Sequence, residues 1–286
     1  MSLTSTAALV TGAVEHGRAV AAVNVITLEH AEAIAEAATE SGRSLVLQLS
    51  QNALAYHGTA VPLARAVHAL AELAPVPLAI HLDHLTDRDL VRSAVDGPLR
   101  PLVGSLMVDA AHLTYAENVA DTRAVADEAH AAGLWVEAEL GYVGGKPDAP
   151  RSAHADGVRT DPDEAARFVA ATGVDALAVA VGSSHAMTAR VARLDHGLIA
   201  RLAERVPVPL VLHGSSGVPD DELRRAVAAG IRKVNVGTAL NVALTSSLRN
   251  SLTDDPTVSD PRRYLAPART AMRDAVLHLL DLLEQP

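Results

Sequence analysis

Short runs of apolar, often β-branched residues recur along the chain, each followed by a stretch rich in Ala, Leu, Arg and Glu at helical period. The runs are AAVNVI (21–26), SLVLQLS (44–50), PLAIHLDH (77–84), GSLMVDA (104–110), LWVEAELG (134–141), ALAVAVG (176–182), PLVLHG (209–214) and KVNVG (233–237). Runs apolar on both faces describe parallel strands covered by helices. Eight strand–helix units in 286 residues predict an α/β protein with one closed (β/α)8 barrel of the TIM type, and a doubly wound open sheet is the alternative. The barrel would occupy residues 1–286 as a single domain. An amphipathic helix precedes it, and a C-terminal extension, 253–286, runs through an irregular link (253–272) into a last helix. Ordinary helix signals frame the scaffold: Thr27 opens and Gly42 closes one helix, and the Asp-Pro-Asp at 161–163 opens another that stops at Gly173. One segment breaks the rhythm. Residues 142–159, YVGGKPDAPRSAHADGVR, are too long and too rich in Gly, Pro and Asp for a tight connection, and their place after the fifth strand suggests a lid.

Composition narrows the partners. With 34 acidic against 24 basic residues and a net charge of −10, the chain has no grip on nucleic acid or an anionic membrane, so small molecules or copies of itself are expected. No run approaches a membrane span and the N-terminus lacks a basic leader, from which a cytoplasmic location is expected. There is no cysteine, so a metal would have to be held by His, Asp, Glu or water, and the 13 histidines become the residues to follow.

Active sites of such barrels lie at the carboxyl ends of the strands. The polar residues placed there are Asn24, Ser50, Asp83, His84, Asp109, His112, Glu137, Glu139, Ser183 to His185, His213 to Ser216 and Asn235 to Thr238. His84, His185 and His213 belong to three different strand ends, and three imidazoles meeting at a point make a zinc site with a position open for substrate. Asp109 and Glu139 are either structural acids or ligands at a second or alternative metal position. His81 and Glu137 share the inward face one layer deeper and read as support. Asp83 precedes a ligand, so its side chain starts on the opposite face; turning toward the mouth where the pleat ends, it can give and take a proton. His57, His68, His130, His154, His196 and His278 read as ordinary surface or core histidines. The turns HGSSG (213–217) and NVGT (235–238) follow the two strands that commonly cradle phosphate, and a metal beside a phosphate anchor suits a phosphorylated ketose.

The spaced set HLDH, MVDAAH, VEAELGYVGG, GVDALAVAVGSSH, VPLVLHGSSGVPDDELRRAVAAGIRKVNVGT and DPRRYLAPARTAM resembles the class II, zinc-dependent fructose-bisphosphate aldolase family, with the tagatose-bisphosphate aldolase branch the nearest in appearance. The resemblance spans essentially the whole chain. It implies a lyase of carbohydrate metabolism and glycolysis that reversibly splits a ketose bisphosphate into dihydroxyacetone phosphate and an aldehyde. It implies Zn2+ on His84, His185 and His213, Asp109 and Glu139 at the second position, and Asp83 as the acid/base on the aldehyde-derived hydroxyl. Dihydroxyacetone phosphate would be contacted by Ser50, Gly214, Ser215, Ser216, Asn235, Val236, Gly237 and Thr238. A monovalent cation (Na+ or K+) near the phosphate and a homodimer or homotetramer belong to the same expectation.

Departures fall on the substrate side. Ala186 stands where the family has glycine, Ala239 where an acidic residue often follows, and Pro147 where the lid carries a glutamate, leaving Asp148 one position away as the possible lid acid/base. The alternatives are therefore a relative with a different donor or acceptor, a non-catalytic aldolase-like subunit, or a metal-dependent hydrolase on the same barrel.

Overall fold

The computed structural model describes residues 3–141 and 159–284; the lid-like segment, with His154 and Asp148, lies outside them apart from Arg159. Eight strands, β1 (Val20–Asn24), β2 (Leu45–Ser50), β3 (Leu78–Leu85), β4 (Ser105–Val108), β5 (Trp135–Leu140), β6 (Ala176–Val179), β7 (Leu210–Leu212) and β8 (Ile231–Val236), close into a parallel barrel. The ring is completed by β8 beside β1, with Val20 opposite Lys233 and Ala22 opposite Asn235. The outer helices are α2 (Leu28–Ser41), α3 (Gln51–Tyr56), α4 (Ala60–Leu73), α5 (Arg88–Asp96), α6 (Tyr115–Ala131), α7 (Pro162–Thr172), α8 (His196–Arg205), α9 (Asp220–Ala229), α10 (Thr238–Asp254) and α11 (Arg262–Glu284), while α1 (Thr6–Glu15) comes first.

Alternation along each strand divides the apolar residues into two populations. Outward-facing Val, Leu and Ile join the inner faces of the helices in one large core, including Leu47, Ile80, Leu106, Leu177 and Leu212. Inward-facing residues change character with height. At the amino end Val20, Ala22, Val46 and Ala79 pack under α1 through Val10 and Ala13, so α1 is the plug of the barrel floor. The hydroxyls of Thr6 and Ser105, 2.5 Å apart, tie the plug to β4. Above them lie Met107, Ala178 and Val211, and beside these, in the same tier, Gln48, His81, Glu137 and Lys233, all fully buried. A polar middle tier inside a barrel has to be internally paired, because burial without partners costs several kcal/mol per ion even after relaxation.

Two differences from the sequence reading concern length. The tail between 253 and 272 is not an irregular link throughout: α10 continues to Asp254 and α11 already begins at Arg262, carrying Pro267 inside it. Pro267 lies past the first turn, where it lacks the N–H that would meet the Arg263 carbonyl, and the buried stripe Ala268, Met272, Val276, Leu279 and Leu283 holds the helix in place. Strands β6 and β7 are short, so His213 stands immediately beyond β7 and His185 lies six residues beyond β6 in a loop, not at the strand end. Among the described residues no helix is long and apolar enough to cross a membrane.

Candidate metal centre and active site

A cavity of about 1000 Å³ opens at the carboxyl ends of the strands, lined among others by Asn24, Ser50, Asp83, His84, Asp109, His112, His185, Ser216, Asn235 and Thr238. One end gathers the ionisable groups. His84, His185, His213 and Glu139 each offer a ligand atom, and those atoms lie within 4.8 Å of one another. The three rings meet edge to face, with centroids 4.8 Å apart for His84 and His213, 5.1 Å for His84 and His185, and 5.8 Å for His185 and His213.

Two of the rings are aimed by what stands behind them. Asp109 Oδ2 lies 2.8 Å from His84 Nδ1, so Nδ1–H donates to the carboxylate and Nε2 is left with a lone pair facing the centre. Glu137 Oε1 lies 2.9 Å from His213 Nε2; a carboxylate only accepts, so this nitrogen carries the proton and Nδ1 faces inward. The two inward nitrogens are 3.1 Å apart, and a Glu139 oxygen is 3.5 Å from His213 Nδ1. Converging acceptors repel one another unless a cation lies among them, so the donor set fits a metal ion, and its imidazole-rich character suits a borderline divalent ion. Asp109 thus sits behind His84 while Glu139 sits among the rings; the sequence reading had paired them as one position.

Asp83 and His84 are neighbours in a strand, yet both line the cavity. The backbone resolves this at His84 rather than at Asp83, as the sequence reading had it. Asp83 keeps the regular inward direction, opposite Ser50 in register and 2 % exposed. His84 takes φ +52°, and the pairing with β4 shifts register between Leu82 and Leu85. That left-handed residue swings the imidazole over the barrel rim, 3.9 Å from Asp83 Oδ2 to its Nε2.

Beneath the rings, Lys233 Nζ lies 2.9 Å from Glu137 Oε2. Burial alone would push the Glu137 carboxyl up, but the Lys233 ammonium, the His213 hydrogen bond and the surrounding charge overcome it and hold the group well below the usual carboxylate range. Burial, with Lys233 adding to it, pushes His81 down to about 3, so it is a neutral ring, bonded through Nδ1 to Ser105 Oγ at 2.8 Å. Lys233 escaped the sequence reading. Its signal was a lysine inside an apolar strand, two residues before Asn235 and so on the same inward face.

The other end of the cavity is formed by the two turns. Gly214 has φ +65°, and a side chain there would meet the Ser184 backbone at 2.6 Å, so only glycine lets the β7 and β6 loops touch. The Ser215 hydroxyl is committed to the Leu212 carbonyl, whereas Ser216 Oγ accepts from Ala239 N–H at 3.0 Å and fastens this turn to the start of α10. The first turn of α10 begins at Thr238, and a helix start of this kind favours anions through its unpaired N–H groups. Ser50 Oγ accepts from Ala53 N–H and caps α3. Met187 packs on Gly217, and the Ala192 N–H donates to the Gly217 carbonyl, so the loop bearing His185 is clasped to the β7 turn.

Of the histidines set aside from the sequence, His57 and His68 bond to backbone carbonyls and His130, His196 and His278 face carboxylates, none of them lining the cavity. Ala186 lines the cavity with φ +58°. Alanine in this conformation costs about 1–2 kcal/mol, against roughly 0.5–1 kcal/mol for the extra freedom of an unfolded glycine. Ala186→Gly is therefore expected to raise the denaturation midpoint, by up to about 1 kcal/mol in stability; a loss of stability would show that the alanine methyl makes a compensating contact.

Comparison with known proteins agrees with this geometry. The family model "Fructose-bisphosphate aldolase class-II" matches residues 4–285. The chain is 38% identical over 267 residues to the D-tagatose-1,6-bisphosphate aldolase subunit GatY of Klebsiella oxytoca, covering 93% of this chain and 92% of that protein. It is 38% identical over 289 residues to a fructose-bisphosphate aldolase of Thermus caldophilus, covering 93% of each. Among solved structures, the YdjI aldolase from Escherichia coli K12 superposes with a TM-score of 0.84 at 29% identity, over 98% of this chain and 97% of that one. With a family match over nearly its whole length and a barrel to go with it, the chain belongs to the class II fructose-bisphosphate aldolase family.

Proposed function

We propose that the protein is a metal-dependent aldolase that reversibly cleaves a phosphorylated ketose of the fructose or tagatose bisphosphate type into dihydroxyacetone phosphate and an aldehyde. The observation that carries this is the convergence of His84, His185, His213 and Glu139 beside the buried Asp83, at one end of a cavity whose other end is formed by the 213–217 and 235–238 turns. A divalent ion held by the three histidines, zinc by the nature of the donors, supplies a Lewis acid that polarises the donor's carbonyl. Asp109 and Glu137 keep two of the rings aimed, and Glu139 adds negative charge beside them.

In cleavage, Asp83 accepts the proton of the hydroxyl that becomes the aldehyde oxygen while the adjacent carbon–carbon bond breaks and its electron pair passes into the donor half. In condensation Asp83 returns that proton. Reprotonation of the donor carbon falls to the lid, where Asp148 is the proposed acid/base. The donor phosphate is placed against Ser50, Gly214, Ser215, Ser216, Asn235, Val236, Gly237 and Thr238, with a monovalent cation nearby. Small backbone-lined turns suit a phosphate because N–H groups approach it without side-chain bulk. A cytoplasmic homodimer or homotetramer acting in glycolytic carbohydrate metabolism completes the proposal, supported by the family resemblance.

Zinc-loaded protein assayed against a panel of ketose phosphates, with coupled detection of dihydroxyacetone phosphate, tests this. Release from fructose or tagatose 1,6-bisphosphate is expected, and no release from any member of the panel overturns it. The methyl of Ala186 in the cavity favours one second reading, a relative with an altered donor or acceptor, which shows in the same panel as dihydroxyacetone phosphate released only from other ketose phosphates or, for an altered donor, as consumption of a ketose phosphate without its release.

A further inference from the structure

The charged residue that the proposed chemistry leaves unused is Lys233, in the middle tier of the barrel. Lys233 is fully buried beneath the cavity and its ammonium has three protons to donate. Three acceptors surround it: Glu137 Oε2 at 2.9 Å, Asn235 Oδ1 at 2.7 Å and Gln48 Oε1 at 3.3 Å. Each acceptor belongs to a side chain that continues to a different part of the site. Glu137 accepts from His213 Nε2–H. The Asn235 amide nitrogen lies 2.9 Å from His213 Nε2 and donates toward Asp83 Oδ1 at 3.5 Å. Gln48 Nε2 donates to Asn24 Oδ1 at 2.7 Å, and Asn24 packs on Gly237 of the β8 turn, where an added Cβ would meet its Nδ2 at 3.0 Å.

We infer that Lys233 is a positioning residue that holds the three parts of the site, metal-binding imidazole, proton carrier and phosphate turn, in one fixed relation. The inference rests on the metal reading above and goes beyond it. An ammonium paired with a buried carboxylate and hydrogen-bonded to two amide oxygens has no lone pair to offer a carbonyl, so Lys233 is not a Schiff-base lysine. Its action passes through Glu137 and Asn235. With the ammonium gone, the Glu137 carboxylate loses its counter-charge and is free to rotate away from His213, and the amide of Asn235 loses the contact that sets its direction.

The test uses full-length protein stripped of metal, with zinc affinity measured by competition against a chromophoric chelator and the visible spectrum recorded after loading with Co2+. Lys233→Met is expected to weaken zinc binding about 10–100-fold, the range for partners of ligating histidines, and to lower the melting temperature. Lys233→Met combined with Glu137→Gln leaves no unpaired buried charge while retaining an acceptor for His213. That double variant is expected to regain most of the parental melting temperature yet to bind zinc at least about tenfold more weakly, with altered Co2+ bands. Parental zinc affinity and an unchanged Co2+ spectrum in either folded variant overturn the positioning role, since a purely structural lysine would move the melting temperature alone. A parent protein that takes up no zinc overturns the metal reading instead.

Discussion

Replacing Asp83 with alanine is expected to leave the protein folded and able to bind zinc while lowering the rate of ketose cleavage by about 10²–10⁴-fold, the usual worth of a positioned acid/base. The side chain lies on the inward face of β3, 2 % exposed, within 3.9 Å of His84 Nε2 but outside the group of four converging ligand atoms. Its removal therefore takes away the proton carrier and spares the donor set. The loss should appear in kcat with zinc saturating, and the Co2+ spectrum should stay close to the parent's. A variant that cleaves at near the parental rate would remove Asp83 from the mechanism.

His84→Asn separates the metal from the scaffold. Position 84 has φ +52°, a conformation asparagine tolerates better than most residues, so the backbone swing that places this side chain over the rim should persist. What is lost is one of three imidazoles. Loss of a direct ligand should exceed the effect of losing a supporting partner, so zinc affinity is expected to fall by more than about 100-fold and turnover with it. In the parent, chelation should abolish activity and added Zn2+ restore it. Activity that survives in the metal-free protein, with a borohydride-trapped Schiff base, would defeat the metal-dependent reading.

The consecutive polar residues Asp83 and His84 show where sequence reasoning reaches its limit. Period-2 alternation requires that one of two neighbours leave the pleat, and it does not say which. The structure chooses His84, because Asp83 is held by regular pairing along β2 while the ladder to β4 slips one step beyond Leu82. Asp109 and Glu139 illustrate a second limit. As acids at adjacent strand ends they are equivalent on paper, but a difference of a few ångströms puts one behind an imidazole and the other among three of them. Lys233 shows a third. A lysine in a strand reads as an edge or surface residue, and only closure of the barrel brings Glu137 of β5 and Gln48 of β2 to the ammonium that Asn235 meets from its own strand.

Taken by itself, the sequence determined the repeated strand–helix alternation, favoured a closed barrel over an open sheet, and marked the rim on which the polar residues collect and the three histidines that the structure brings together. These follow from periodicity and composition, which act over a few residues and survive any detail of packing. Tertiary structure alone decided which nitrogen of each of His84 and His213 faces the centre, which acid stands behind a ring and which beside it, and what balances the charge below. Such choices depend on separations of about 3 Å between groups distant in the chain, where hydrogen-bond direction and Coulomb energy change most steeply.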